Sequence, residues 1–135
     1  MDFNKYVKGI HHIGIPVLSM EKTKKFYLGL GASIDHEQTD EFEGRPIKVT
    51  VFVLYGVKVE TYERPETAGK EGAIDHVAFE VADIDELYKE VKEAGYKLMN
   101  DCRDEVQTTS YWPATTRWFI IIGPDGEKLE FTQRT

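Results

Sequence analysis

The feature that most constrains this chain is an internal repeat. The segment GIHHIGIPVLSM at 9–20 resembles AIDHVAFEVADI at 73–84, and each contains a histidine at its fourth position. Aligning His12 with His76 gives an offset of 64, which continues without a gap to the end of both segments. A repeat of this kind predicts two equivalent structural modules within one chain.

Later segments of the chain repeat as well, at a slowly growing offset. The pairs are FVLYG at 52–56 with FIIIG at 119–123, and KVE at 58–60 with KLE at 128–130. The offset rises from 64 through 67 to 70, as loops of unequal length would produce. The turn sequence GPDG at 123–126 is one such loop. The repeat therefore spans most of the chain and indicates a duplication.

The order of local patterns is the same in both halves and predicts a βαβββ unit twice. A strand leads into an amphipathic helix, and strand-like runs follow the helix. We expect an α+β fold in which two tandem modules form a cleft-shaped mixed β-sheet flanked by helices. Residues 1–135 are expected to make one domain, with the first module at 9–62, a Pro- and Gly-containing linker at 63–72 and the second module at 73–132.

The second module supplies the more detailed local predictions. Helix 84–94 should begin with a capping box formed by Asp83 and Glu86 and end at Gly95. After the helix, strands are expected at 96–101, 116–122 and 127–132, with first-module counterparts at 32–38, 46–55 and 57–62.

Composition limits the classes of partner. The chain has 135 residues and a formal net charge of −7, and its basic residues are scattered. This charge pattern disfavours nucleic acid and anionic membrane surfaces, which bind clustered basic residues. No apolar run is long enough to cross a bilayer, no signal peptide is recognised, and a single cysteine, Cys102, fits a reducing compartment. We therefore expect a cytoplasmic protein with a small-molecule partner.

Four side chains of the types that bind metal ions occupy equivalent positions in the repeat. The pattern places His12 and His76 on the predicted first strand of their modules, and Glu60 and Glu130 on the predicted last strand. Because side chains alternate between the faces of a strand, all four should leave their strands on the less apolar face. Two imidazoles and two carboxylates suit a borderline or hard divalent metal. The sequence therefore predicts a metal site formed by these four residues.

Other polar and aromatic residues are weaker candidates. His11 should point to the opposite face from His12 and be structural, and His36 should be a solvated turn residue. In the segment at 108–119, Tyr111 and Trp112 could form an aromatic substrate pocket and Arg117 could hold an anionic substrate group. An alternative for that segment is a loop that packs over a sheet edge.

Four segments carry a resemblance to a known family. HHIGIPVLSMEKTKKFYLGLG, VKVETY, IDHVAFEVADIDEL and GPDGEKLEF resemble the signature segments of the vicinal oxygen chelate superfamily, which includes glyoxalase I. The resemblance implies paired βαβββ modules that form a cleft, a homodimer, and metal binding by His12, Glu60, His76 and Glu130. It also implies that Glu130, or failing that Glu60, is the catalytic base.

The expected activity follows from this ligand set and the resemblance. Octahedral coordination by four protein ligands leaves two adjacent positions for a substrate with two neighbouring oxygens. The chain is therefore expected to be a divalent-metal-dependent lyase or isomerase similar to glyoxalase I (lactoylglutathione lyase), which moves a proton through an enediolate. Nickel, zinc or cobalt is the expected metal, with iron or manganese as alternatives. Three points stay open: the physiological substrate, whether glutathione or another thiol is used, and whether each site is built within one chain or across a dimer.

Three alternative functions also stay open. The chain could be a metal-dependent dioxygenase or an epimerase of the same superfamily, or a resistance-type protein that binds a small molecule without catalysis. Two histidines and one carboxylate on iron would suit a dioxygenase, whereas a fourth ligand argues against it.

Overall fold

The computed structural model describes residues 1–99, 105–109 and 115–134. The chain divides into two compact units, a first unit at Met1–Glu66 and a second unit at Thr67–Thr135. In the part of the chain that is described, no helix is long and apolar enough to cross a membrane.

The first unit contains one four-stranded sheet and one α-helix. Its elements are a 3₁₀ turn at Phe3–Lys5, β1 at Ile13–Val17, α1 at Met20–Gly29, β2 at Ser33–Phe42, β3 at Arg45–Leu54 and β4 at Val57–Glu63. The strand order is β1-β4-β3-β2. β1 is parallel to β4, because α1 returns the chain to the same end of the sheet, and the later strands are antiparallel.

The second unit has the same topology. Its elements are β5 at Val77–Glu80, α2 at Ile84–Glu93, β6 at Gln107–Thr109, β7 at Thr116–Ile122 and β8 at Lys128–Arg134. The strand order is β5-β8-β7-β6, with β5 parallel to β8. The predicted α+β fold with a duplicated βαβββ unit is confirmed.

Strand pairing shows that the duplication extends to the register. Ile13 lies opposite Val59 in the first sheet, and Val77 lies opposite Leu129 in the second. The members of these pairs are related by the same offsets, 64 and 70, that the sequence repeat shows. The residues of β1 and β4 therefore have counterparts on the same face of β5 and β8, which supports equivalent sites in the two units.

One face of each sheet is covered by its helix through aromatic contacts. Tyr27 of α1 packs on Phe52, with ring centroids 5.3 Å apart, and Tyr88 of α2 packs on Phe119 at 5.2 Å. Both phenylalanines are fully buried. Burial of a phenylalanine side chain contributes about 1.5–3 kcal/mol, so these contacts attach the helices to their sheets.

A side chain from a distant strand accepts the first N–H of each helix, and in α1 the local N-cap Ser19 also accepts the N–H of Lys22 at 3.3 Å. In the first unit, the backbone N–H of Met20 donates to Oε2 of Glu63 at 2.7 Å. In the second, the N–H of Ile84 donates to Oε1 of Gln133 at 3.0 Å. The predicted capping box is wrong, because Asp83 has a left-handed backbone conformation (φ 50°) and its side chain makes no capping hydrogen bond. Gln133 satisfies the first N–H of the helix instead.

The second unit also departs from the sequence prediction after its helix. The predicted strand at 96–101 is wrong as far as residues 96–99 are described, since only an isolated bridge joins Leu98 to Ile121. Two hydrogen bonds hold this bridge: Met99 N–H to Ile120 O at 3.0 Å and Ile122 N–H to Lys97 O at 2.8 Å. The fourth strand of the sheet is instead β6, which is three residues long.

Candidate metal centre

In the first unit, His12 and Glu60 lie next to each other. His12 is the residue before β1, and Glu60 lies in β4 opposite Gly14. The imidazole Nε2 of His12 is 3.7 Å from the carboxylate Oε2 of Glu60. Both side chains are about two-fifths exposed, at 39% and 40%. We call His12 and Glu60 the first pair.

In the second unit, His76 and Glu130 repeat this arrangement. His76 precedes β5, and Glu130 lies in β8 opposite Ala78. The Nε2 of His76 is 3.1 Å from the Oε2 of Glu130, whose side chain is only 16% exposed. We call His76 and Glu130 the second pair.

The donor atoms of each pair are spaced as ligands of one metal ion would be. Metal–ligand bonds of about 2.1 Å place two ligand atoms about 3.0 Å apart at a right angle and about 3.4 Å apart at a tetrahedral angle. The second pair, at 3.1 Å, lies within this range, and the first pair, at 3.7 Å, lies slightly above it. Imidazole nitrogens and carboxylate oxygens are also suitable donor types, so the residues fit a divalent metal.

Neither pair is a complete metal site by itself. Among residues 1–99, 105–109 and 115–134, no group of three or more His, Cys, Asp or Glu side chains could hold a metal ion. Structural and catalytic metal sites use three or four protein ligands. The four-ligand site therefore depends on both pairs and stays a prediction.

The two carboxylates of the pairs differ in their surroundings. Burial raises the pKa of the Glu130 carboxyl above its ordinary 4.5, the imidazole of His76 lowers it in part, and the charge of Asp75 raises it further. Glu60 is more exposed, at 40% against 16% for Glu130. The second pair therefore holds the more desolvated carboxylate, which binds protons more tightly.

The imidazole of His76 has a carboxylate on its other nitrogen. Nδ1 of His76 is 2.8 Å from Oδ2 of Asp75, and the other oxygen of Asp75 accepts a hydrogen bond from Lys128 Nζ at 3.3 Å. These contacts, the one with His76 first, hold the pKa of Asp75 below its ordinary 3.8. Asp75 was not among the predicted site residues, although it directly precedes His76 in the sequence.

The imidazole of His12 has a different partner at the same place. Nδ1 of His12 is 2.8 Å from Nδ1 of His11, and the two rings meet edge to face. The prediction that His11 points to the opposite face is wrong. The strict alternation of side chains holds within a strand, and His11 and His12 both precede β1.

A cavity of about 520 Å³ lies over the sheet face of the first unit that carries Glu60. Its polar lining residues are His11, His12, His36, Gln38, Asp40, Lys58, Glu60, Tyr62 and Arg64. His36 is exposed, as predicted, but the prediction that it lies in a turn is wrong, since it lies in β2 and lines this cavity. A register shift between Ile34 and His36 changes which face the following residues of β2 occupy.

The predicted substrate-binding residues lie elsewhere or outside the described part. Arg117 of β7 donates from Nη1 and Nη2 to the two carboxylate oxygens of Asp85, each at 2.6 Å. It lies opposite Gln133, whereas Glu130 is paired with Ile120, so Arg117 and Glu130 occupy opposite faces of the sheet. Its substrate-binding role stays a prediction. Tyr111 and Trp112 lie outside the described residues.

The duplicated fold and the two histidine–glutamate pairs are typical of one class of protein. A comparison of the sequence with protein families identifies that class. Residues 9–131 match the Glyoxalase/Bleomycin resistance protein/Dioxygenase superfamily. The chain belongs to this superfamily. No curated protein matches the chain by sequence.

Solved structures share the fold at low sequence identity. A fosfomycin resistance protein, FosX, from Listeria monocytogenes has a TM-score of 0.75 and 18% identity, with 96% of this chain and 95% of that chain covered. A glyoxalase family protein from Enterococcus faecalis has a TM-score of 0.71 and 20% identity, with 94% and 98% covered. A mutant FosX in complex with Mn(II) and 1S,2S-dihydroxypropylphosphonic acid has a TM-score of 0.69 and 19% identity, with 93% and 91% covered. These likenesses support the fold.

Proposed function

We propose that the chain is a divalent-metal-dependent lyase or isomerase of the glyoxalase I type, and that His12, Glu60, His76 and Glu130 bind the metal. The observation that carries this proposal is the duplicated histidine–glutamate pair. Each pair lies at the same register position of its sheet, with Nε2 and Oε2 3.7 Å or 3.1 Å apart. A structural role would not require an imidazole and a carboxylate at both positions.

A divalent metal ion held there would supply a Lewis acid that polarises two neighbouring oxygens of a substrate. Nickel, zinc or cobalt is the proposed metal, and the Mn(II) in the FosX complex supports a divalent ion in this fold. The two histidines and Glu60 would bind the metal ion and so orient the substrate. Glu130 accepts the proton from one substrate carbon and returns it to the neighbouring carbon, which requires a positioned base of suitable basicity. Its burial supports this role, because a desolvated carboxylate is a stronger base.

The FosX relatives suggest a second substrate class, a small phosphonate. One specific observation favours it: Lys58 and Arg64 line the cavity of the first unit together with His36. Cationic side chains of these types bind phosphonate and phosphate groups. A fosfomycin-type substrate is therefore the second candidate.

The first experiment measures metal content and activity of the wild-type protein. Nickel, cobalt or zinc near one per site would support isomerisation, iron would support a dioxygenase, and no metal would favour the binding-protein alternative. Proton exchange with solvent deuterium is then followed by NMR for 2-hydroxy-ketones and hemithioacetals, with conversion of fosfomycin as a parallel assay. No exchange with any metal or substrate would contradict the proposed isomerase.

The second experiment tests the base. Glu130→Gln keeps the side-chain size and one oxygen ligand but removes basicity, so it should lower turnover by roughly 10²–10⁴. Glu60→Gln should lower turnover less, because Glu60 is proposed to bind the metal without transferring the proton. Full exchange activity of the metal-loaded Glu130→Gln variant would refute the base assignment.

A further inference from the structure

The two proposed histidine ligands differ in what holds their second nitrogen. The residue directly before each histidine makes that contact: Asp75 in the second unit and His11 in the first. These two residues are equivalent in the repeat, since the offset that aligns His12 with His76 also aligns them. The same place in the fold therefore carries a carboxylate in one unit and an imidazole in the other.

The Asp75 carboxylate provides an acceptor for one nitrogen of His76. An ionised carboxylate has no proton to donate, so at 2.8 Å the Nδ1 of His76 must be the donor. A metal ion held between Nε2 and Glu130, which are 3.1 Å apart, would need the lone pair of Nε2, and the proton on Nδ1 leaves that lone pair available. Lys128, which is only 18% exposed, fixes the other oxygen of Asp75.

His11 cannot fix the proton of His12 in this way. A neutral imidazole Nδ1 can either donate or accept, so the 2.8 Å contact allows the proton on either ring. If His11 donates, His12 carries its proton on Nε2 and has no lone pair there for a metal. Metal binding through Nε2 of His12 therefore requires His11 to act as the acceptor, whereas Asp75 beside His76 is an acceptor in every case.

From these contacts we infer that Asp75 is a positioning residue that presets His76 as the stronger metal ligand of the two. The inference rests on the proposed function, since it assumes a metal at these histidines. The Asp75 contact fixes the ring of His76 with Nε2 directed towards Glu130, as second-layer carboxylates do for metal-bound histidines. His12 is the less firmly positioned ligand, because its Nδ1 contacts the imidazole of His11 and either ring can carry the proton of that contact.

The test combines the proton position with metal affinity. In the Zn(II)-loaded wild type, long-range ¹H–¹⁵N NMR should show His76 with its proton on Nδ1, and in Asp75→Ala this proton should exchange faster with solvent, because its acceptor is gone. Calorimetric titration with Zn(II) alone should show about 10–100-fold weaker binding for Asp75→Ala. Asp75→Asn, which keeps a neutral acceptor oxygen, should lie between this variant and the wild type.

Two controls separate positioning from a general loss of negative charge. Glu71→Gln removes a carboxylate that also contacts Lys128, at 3.5 Å, and does not contact His76. Asp35→Ala removes a carboxylate from an identical 2.8 Å contact with His36, which is not a proposed ligand. Both variants should keep the wild-type Zn(II) affinity to within about twofold, because neither changes the proton position of His76.

The converse substitution tests the asymmetry. His11→Asp places a carboxylate beside His12, as in the second unit, and should fix the His12 proton on Nδ1 and strengthen Zn(II) binding.

A wild-type His76 with its proton on Nε2, or an Asp75→Ala variant with wild-type Zn(II) affinity, would overturn the inference alone. A wild type that binds no Zn(II), Ni(II) or Mn(II) would overturn the proposed function and the inference with it.

Discussion

The strongest prediction for stability concerns Glu63, which accepts the first N–H of α1 in addition to the local N-cap Ser19. Oε2 of Glu63 accepts the N–H of Met20 at 2.7 Å, and Met20 is almost fully buried. A hydrogen bond to a charged group contributes about 1.5–3 kcal/mol, and this range includes the interaction of the carboxylate with the helix dipole. Because Glu63 is half-buried and water could partly replace it, we expect Glu63→Ala to lower the free energy of unfolding by about 2 kcal/mol.

The Glu63→Gln variant and the second unit provide matched comparisons. Glu63→Gln keeps an acceptor oxygen and loses only the charge, so it should cost about 0.3–1 kcal/mol. In the second unit a neutral amide, Gln133, already makes the equivalent bond at 3.0 Å, and Gln133→Ala should cost about 0.5–1.5 kcal/mol. The expected order of destabilisation is therefore Glu63→Ala first, Gln133→Ala second and Glu63→Gln last.

Urea unfolding followed by circular dichroism and by tryptophan fluorescence measures these differences. The two signals should coincide, because a free energy is defined only for a two-state transition. A loss of about 2 kcal/mol should lower the melting temperature by about 6–10 °C in a chain of this size. A Glu63→Ala variant as stable as the wild type, or a Glu63→Gln variant as unstable as Glu63→Ala, would refute the role of the cap.

Two further predictions concern pH and assembly. Arg117 holds the pKa of Asp85 below its ordinary 3.8, so this pair contributes stability above about pH 4 that is lost as the pH falls through the lowered pKa. Urea midpoints of wild type and Asp85→Asn should therefore differ at pH 7 and converge near pH 2, and a gap that stays constant would contradict the assignment. The resemblance also implies a homodimer, and light scattering should give twice the mass of one chain. A particle with the mass of a single chain at micromolar concentration would count against it.

The sequence predicts the fold well because the repeat is itself a structural constraint. Strand alternation and helix periodicity each allow errors, but an alignment of two halves requires the same elements twice. The strand register follows the same offsets, so Glu60 and Glu130 lie at equivalent positions of β4 and β8, as predicted from KVE and KLE. These positions depend on local pattern alone, which a sequence contains.

The errors come from distant contacts and from strand irregularities and boundaries that local pattern does not show. The capping box fails because Gln133, 49 residues away, reaches the first N–H of α2. His36 lines the cavity and follows an irregularity in β2, and no turn residue in the sequence indicates this irregularity. Alternation also misassigns His11, since it lies ahead of the strand to which the rule was applied. The first two cases depend on contacts between residues distant in the sequence, whereas the third depends on where β1 begins.

The repeat also shows how one scaffold can give its two halves different chemistry. The histidine and glutamate of each pair keep their places, while the residues around them differ in charge and exposure. Lys128 contacts the carboxylate beside His76, whereas its counterpart Lys58 lies 3.9 Å from Asp35, a residue of β2. The second pair consequently combines the more buried carboxylate with the histidine whose second nitrogen contacts a carboxylate. A base needs desolvation and a ligand needs orientation, so this difference supports assigning proton transfer to Glu130 and a metal-binding role alone to Glu60.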